Sequence, residues 1–231
     1  MFWQEDPEQP EAAATDAVVD VLFSLQCRSL PVDHAYALST ALLELTPWLA
    51  DEPFAAIHTV HVAGSQNGWE RPEHGSDQHL LLSRRTKLSI RVPRERIADL
   101  TSALEGRTLD IAGSALTIGS SKQRSLSRDS TLFARYVALP AEAAGTDEDA
   151  FLIWAAAELA SLDIKVRKAL CGKTTPLATP EGPLATRSLM LASLTPDESL
   201  RLQQHGLGPH RAMGCGIFIP HKGIDAVKKT N

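Results

Sequence analysis

Residues 206–216, GLGPHRAMGCG, are the stretch on which the reading of this chain turns. Two Gly-hydrophobic-Gly triplets, Gly206-Leu207-Gly208 and Gly214-Cys215-Gly216, bracket five residues that include His210 and Arg211. Glycine lets the backbone run at positive φ and lets other atoms approach the main chain closely. With a cation between them, two such triplets suit a loop that holds phosphate groups against backbone N–H donors. Neither common nucleotide motif fits. A Walker loop ends in Gly-Lys-Ser/Thr, and a dinucleotide fingerprint runs from a strand into a helix. Here the order is helix, loop, strand, and a bare helix-to-strand turn is the alternative reading.

Working back from the loop, Thr195-Pro196-Asp197-Glu198 is a helix start, with Thr at the N-cap, Pro at the first position and Glu at the third. That helix runs to His205, Gly206 takes the C-cap, and the loop feeds the strand CGIFIP. Upstream lie the strand LATRSLMLASL, the turn TPEGP and a β-rich stretch from about Ile164. Before them, Thr146 to Asp149 form a capping box for a helix carrying Phe151, Leu152, Ala155, Leu159 and Leu162. LFARYVAL, residues 132–139, is the strand that opens this half. The order is β-α-β-β-α-β.

The first half repeats the pattern. VVDVLFSLQ, residues 18–26, reads as a strand. A helix capped by Asp33 comes next, with Leu38, Leu42 and Leu45 at helical spacing until Thr46-Pro47 stops it. AAIHTVHVA, from residue 55, reads as a second strand, and roughly HLLLSRRTKLSIRV as a third. Pro93 opens a helix with Ile97, Leu100 and Leu104 on one face, ended by Gly106, and TLDIAGSALTIG closes the unit as a strand or hairpin. The fold class is therefore α+β, two tandem ferredoxin-like (RRM-like) units. The expected boundaries are an acidic tail at 1–16, a first domain at 17–120, a basic linker at 121–130 and a second domain at 131–231.

A chain of 231 residues is long enough for two such units with real cores. Its 43% hydrophobic and 22% charged content is that of a soluble globular protein. The start, MFWQEDPEQPEAAATDA, is acidic where a signal peptide would be basic, and the longest apolar run contains Glu158. A cytoplasmic location without membrane association is expected. Cys27, Cys171 and Cys215 are odd in number and far apart, which argues against a disulfide framework and a zinc knuckle. No metal site and no cofactor are indicated.

The net charge of −5 is spread unevenly. Acidic residues gather in the tail and at Asp147 to Asp149. Basic ones gather at Arg84, Arg85, Lys87, Arg91, Arg94 and Arg96, at Lys122, Arg124 and Arg128, at Lys165 to Lys173, and at Lys222, Lys228 and Lys229. Such clusters can assemble one positive face for a phosphate polymer, although each by itself can equally be a solvated edge.

With the tandem topology and the doubled Gly triplet, the sequence resembles the CRISPR-associated repeat endoribonucleases of the RAMP superfamily, the Cas-six family, and most of all its Myxan-subtype branch. That family's C-terminal signature is a pair of Gly-hydrophobic-Gly triplets five residues apart with a basic residue between them, and GLGPHRAMGCG matches every element. LPVDHAYAL, SQNGWERP, LSRRTKL, TRSLMLASL and GIFIPHKGI also resemble the branch. The resemblance implies an enzyme that cuts a CRISPR repeat RNA at one phosphodiester without metal and stays on the stem-loop and the mature guide RNA. Other effector-complex subunits are then expected partners.

Such cleavage uses the neighbouring 2′-OH as nucleophile. It needs a base, cations for the phosphorane and a proton for the leaving oxygen. Histidine suits the base role because its reference pKa is about 6.5. The resemblance places that base at His34, at the start of the first helix, where the helix dipole favours the neutral ring. His61 is the fallback, since His58 and His61 on one strand would point to opposite faces. Tyr36 could assist, and His74 and His79 lie in or beside a polar loop.

For phosphate contacts the expected residues are His210, Arg211 and the loop glycines Gly206, Gly208, Gly214 and Gly216, with Lys222 beyond the last strand. Arg84, Arg85 and Lys87 are expected to alternate along a strand, with Arg85 and Lys87 sharing a face. Lys122, Arg124 and Arg128 would clamp RNA backbone from the linker, and Asn67 or Trp69 could read or stack on an unpaired base. Two other readings stay open: a catalytically silent subunit that binds the RNA hairpin, and a tandem ferredoxin-like protein for a small ligand or another protein.

Overall fold

The computed structural model describes residues 17–61, 78–139 and 147–221. The first unit contains β1 (Val18–Gln26), β2 (Ser29–Pro31), α1 (Ala35–Leu45), β3 (Ala56–Ile57), β4 (His79–Leu81), β5 (Lys87–Pro93), α2 (Ile97–Leu104), β6 (Thr108–Ile111) and β7 (Ser114–Ser125). Its sheet has the antiparallel order β3-β5-β1-β7-β6, so the first strand lies between the third and the last, as a split β-α-β arrangement requires. The expected closing hairpin is β6 and β7. The second unit contains β8 (Leu132–Ala138), α3 (Glu148–Ser161), β9 (Lys168–Leu177), β10 (Leu184–Ala192), α4 (Pro196–His205) and β11 (Ile219–Pro220). Its sheet order, β11-β8-β10-β9, is again a split β-α-β.

Side-chain alternation decides what each sheet face does. Val19, Val21 and Phe23 on β1 stand beside Val92, Ile90 and Leu88 on β5, and all six are buried. Leu38 and Leu42 of α1 and Leu100 and Leu104 of α2 close this core. Leu45, the third expected apolar position of α1, is exposed at the helix end. In the second unit Phe151, Ala155 and Leu159 of α3 pack with Leu132, Leu189 and Leu191. The capping box expected at Thr195 and Glu198 is present, whereas α3 is capped by Asp147, which accepts from the Ala150 N–H; Thr146 lies outside the described residues.

Several boundaries differ from the sequence reading; the strand expected over CGIFIP, for one, is only Ile219–Pro220. The basic linker does not begin at residue 121, because β7 continues to Ser125 paired with β1. The chain just beyond β7 is held by α4: Ser127 O accepts from Gln203 Nε2 at 2.6 Å and from Ser199 Oγ at 3.2 Å. The expected third strand is two strands. β4 pairs with β2, and a turn closed by Thr86 N–H donating to Ser83 O leads into β5. Finally, β3 stops at Ile57; His58 N–H still donates to Ser89 O, and the chain then leaves the sheet. Among the described residues no helix is long and apolar enough to cross a membrane.

The other face of the first sheet meets the second unit through charge. Asp20 on β1 is opposite Arg91 on β5, and both side chains are buried. Arg91 donates from Nε to Asp20 Oδ1 at 2.8 Å and from Nη2 to Oδ2 at 3.3 Å. Its Nη1 donates to Gln203 O at 2.5 Å and to Phe218 O at 3.4 Å, both in the second unit. Burial alone would raise the Asp20 pKa, but the Arg91 charge, aided by His58, holds it well below the usual carboxylate range. Asp33 adds a further tie by accepting from the Ala178 N–H at 2.7 Å.

The Gly-rich loop completes the junction. Gly206, Gly208, Gly214 and Gly216 all have positive φ, between 65 and 85°. A Cβ on Gly208 would stand 2.6 Å from Ala138 O, one on Gly214 2.6 Å from Thr59 Cγ2, and one on Gly216 would overlap the Leu207 carbonyl. The loop is thus pressed onto β8 on one side and onto the first unit on the other.

Asp20→Asn leaves a buried guanidinium without its counter-charge and costs about 3–5 kcal/mol, read as a lower urea midpoint. Because the folded pKa of Asp20 is depressed, its contribution is full above the unfolded value of about 3.9 and is lost as pH falls below it. Glu198, held at about 2 first by its bond from Arg167, acts in the same direction. Melting between pH 5 and 2 therefore falls more steeply in the wild type than in Asp20→Asn. Gly216→Ala, which combines positive φ with a backbone clash, costs roughly 3–5 kcal/mol. Gly113→Ala, at φ 83 with open space around it, costs about 1–2 kcal/mol.

Candidate active site

The charged face that buries Asp20 and Arg91 continues outward along the same strands. Two residues on, Leu22 of β1 stands opposite Ser89 of β5 and Lys122 of β7; two further, Ser24 stands opposite Lys87. Asp20 itself stands opposite Arg124 as well as Arg91. The period of two in strands therefore puts Lys87, Lys122 and Arg124 on one face without any special loop. A groove of about 390 Å3 opens there, floored by Leu22 and Ser89 and walled by His58, His61, Arg85, Lys87 and Arg124, with Ile219 and Pro220 of β11 at its rim. It lies where the two units meet.

Arg124 donates from Nη2 to Asp20 Oδ2 at 3.0 Å, and its side chain is half exposed. One carboxylate thus serves two guanidinium groups, which leaves the floor with an excess of positive charge. Lys87 and Lys122 are exposed. Arg84 and Arg85 are exposed on the turn 83–86, not on a strand as expected, and of the two Arg85 lines the groove. Arg128 stands apart from it, 3.9 Å from Asp197 Oδ1 in an exposed pair.

Both histidines of the 58–61 segment line this groove, contrary to the expectation of opposite faces, because β3 ends at Ile57 and the alternation ends with it. His58 is nearly buried, with Nε2 3.4 Å from Asp20 Oδ1, an ion-pair distance. Burial pushes its pKa below the usual value against the upward pull of Asp20, so the ring is neutral at neutral pH. His61 is exposed, with Nε2 3.1 Å from Thr59 Oγ1.

His34, the residue expected as the base, lies in the interior. Asp33 is turned away to the Ala178 N–H, so His34 takes the N-cap position of α1. Its side chain does not cap the helix. Nδ1 donates to Pro31 O at 2.9 Å, and Nε2 accepts from the Val60 N–H at 2.9 Å. The residue is 1% exposed. A base needs an accessible lone pair, and in this geometry the only one on the neutral ring is already in use. Tyr36, on the first turn of α1, is exposed, and His79 is exposed on β4.

Each of the loop glycines expected at the phosphate turns the chain at positive φ, and the space a side chain would need is filled by protein at every one of them, so they shape the loop. His210, itself at φ 65, is exposed. Arg211 donates from Nη1 to His205 O at 2.7 Å and to Pro53 O at 3.0 Å. Burial, and then the charge of Arg91, lower its pKa to about 10, which leaves it a cation. His210 and Arg211 line a second hollow of about 360 Å3 against residues 49–55. Lys222, Asn67, Trp69 and His74 lie outside the described residues. Among the described residues no three His, Cys, Asp or Glu side chains gather where they could hold a metal ion.

Sequence reasoning missed the Asp20, Arg91 and His58 cluster. A lone Asp inside the apolar strand VVDVLFSLQ, with a lone Arg in LSIRV, was the available signal of a buried pair.

The family model described as Cas6 Crispr matches residues 19–223. A protein of Myxococcus xanthus (strain DK1622), named CRISPR-associated endonuclease Cas6, is 31% identical over 202 residues, covering 87% of this chain and 81% of that relative. Among solved structures, one titled "CRISPR associated protein Cas6" has a TM-score of 0.59 at 12% identity, over 89% of this chain and all of the other. One titled as the characterization of a Cas6-related gene from Pyrococcus furiosus has a TM-score of 0.58 at 14% identity, over 87% and 97%. A third, titled "An RAMP protein binding different RNA substrates", has a TM-score of 0.60 at 14% identity, over 87% and 98%. These structures share the tandem ferredoxin-like fold, and a family match over nearly the whole chain together with the Myxococcus relative shows that the chain belongs to the Cas6 family.

Proposed function

We propose that this chain is a metal-independent endoribonuclease that cuts CRISPR repeat RNA within precursor transcripts. The 2′-OH attacks the adjacent phosphorus, the 5′-oxygen leaves, and the upstream product ends in a 2′,3′-cyclic phosphate. The chain then keeps hold of the repeat stem-loop and the guide RNA within an effector assembly. The Myxococcus relative's name as an endonuclease supports the reaction class. The observation that carries the reading is the groove, which brings His61 and His58 together with Arg85, Lys87 and Arg124.

In this reading His61, the exposed histidine of the groove, takes the 2′-OH proton, and solvent protonates the departing 5′-oxygen. Lys87, Arg85 and Arg124 meet the charge that develops on the phosphorane oxygens. Cations preorganised in a partly dry site act more strongly than in water, and Arg124 is preorganised by its bond to Asp20. Lys122, Arg84, Arg128, His210, Arg211 and Lys222 then serve the RNA further from the cut.

Incubation of the protein with repeat RNA in EDTA tests this. The expected outcome is one cut with a cyclic phosphate end, slowed about 10²–10⁴-fold in His61→Ala with RNA affinity nearly kept. Cutting that requires added metal overturns the mechanism. Tight binding without cutting selects instead the silent hairpin-binding subunit. Lys87→Ala and Lys122→Ala each weaken RNA binding and lower the slope of log affinity against log salt by about 1, which filter binding across a salt series measures.

A further inference from the structure

We infer that His34 is a positioning residue, a neutral strut that fixes the 58–61 segment and so sets where the groove histidines stand. The inference rests on the reading of the groove as the cleavage site. It assigns His34 a role in which the ring never meets RNA.

The backbone carries the argument. The last bond of the segment to the sheet is His58 N–H to Ser89 O. Past it the chain has left β5, yet Val60 is buried and its N–H needs a partner. His34 Nε2 supplies it at 2.9 Å, across 26 residues of sequence. The ring is held in turn by Nδ1 donating to Pro31 O on β2, a strand fixed by its pairing with β4. An N–H arriving at Nε2 and a carbonyl facing Nδ1 specify a single tautomer, Nδ1–H. His34 thus passes the position of β2 and α1 to the backbone between His58 and His61. On its other side the segment is pressed by Gly214, where a Cβ would stand 2.6 Å from Thr59 Cγ2 and 3.3 Å from Thr59 N.

Placement of this kind reads out in turnover. A shift of about 1 Å in a reacting group costs on the order of 10²-fold in rate, while RNA affinity rests on phosphate contacts that His34 does not make. Glutamine offers the same donor and acceptor pair in one side chain, so His34→Gln is the conservative replacement.

The experiment combines two readouts on His34→Ala, His34→Gln and the wild type. In single-turnover cleavage of repeat RNA with EDTA, His34→Ala is expected to lose about 10²-fold in rate with RNA affinity within about 3-fold. His34→Gln is expected to recover to within about 10-fold, with the acidic limb of the pH–rate profile kept. The second readout, amide exchange at Val60 in the protein without RNA, is expected to speed up at least about 10-fold in His34→Ala and to return toward wild type in His34→Gln. Loss of the acidic limb in His34→Gln, with a rate no better than His34→Ala, overturns the inference and makes His34 the base. Unchanged Val60 exchange in both variants overturns it too. Should His34→Ala fail to fold, His34→Gln decides by the same two readouts. Should the wild type not cut repeat RNA at all, the cleavage reading falls while the exchange data still decide whether His34 fixes the segment.

Discussion

A buried guanidinium cannot be left to itself. Arg91 sits between the first sheet and the second unit with almost no access to solvent, and desolvating a charge of that size costs several kcal/mol unless it is paired and hydrogen-bonded. The fold meets that demand with one carboxylate from the neighbouring strand and two main-chain carbonyls from the second unit. The same requirement fixes how the units meet, because only one placement of α4 and of the segment before β11 brings Gln203 O and Phe218 O to Arg91. It also fixes register. A slip of one residue between β1 and β5 would set Val19 or Val21 against Arg91 and send charges into the apolar core.

The groove is a by-product of that constraint. Once Asp20 and Arg91 occupy the outward face, every second residue along β1, β5 and β7 shares it, and these include Lys87, Lys122 and Arg124. Close to the junction the charges are buried and compensated. Farther out they are exposed and in excess, which is what a phosphate chain recognises. The Gly-rich loop acts on the second unit's side of the same junction. Its four glycines let main chain pack against main chain and against Thr59, so that loop and histidine segment are placed together.

Much of this was legible in the chain. Both β-α-β-β-α-β units could be read from hydrophobic period and from caps such as Thr195 with Glu198, because those are local signals. The site was less legible. Which histidine faces open space depends on where a strand ends, and β3 ends at Ile57 although alternating residues continue to His61. The start of α1 looked like the place for an accessible base. There Asp33 is drawn away by the Ala178 N–H, 145 residues distant in sequence, and His34 is buried by contacts that no local pattern encodes. In the same way Lys122 and Arg124 passed for linker residues, because a strand's length is decided by its partner, here β1, and not by its own composition.

The central claim is that the scissile phosphate lies on the outward face of the first sheet and not on the Gly-rich loop. A structure of the complex with repeat RNA, blocked by a single 2′-deoxy nucleotide at the cut, tests it most directly. The prediction is that the scissile phosphate is held by Lys87, Arg124 and His61, with His34 still bonded to Pro31 O and the Val60 N–H. A scissile phosphate seated instead in the hollow beside His210 and Arg211, or a His34 ring turned out to meet the 2′ position, would contradict it.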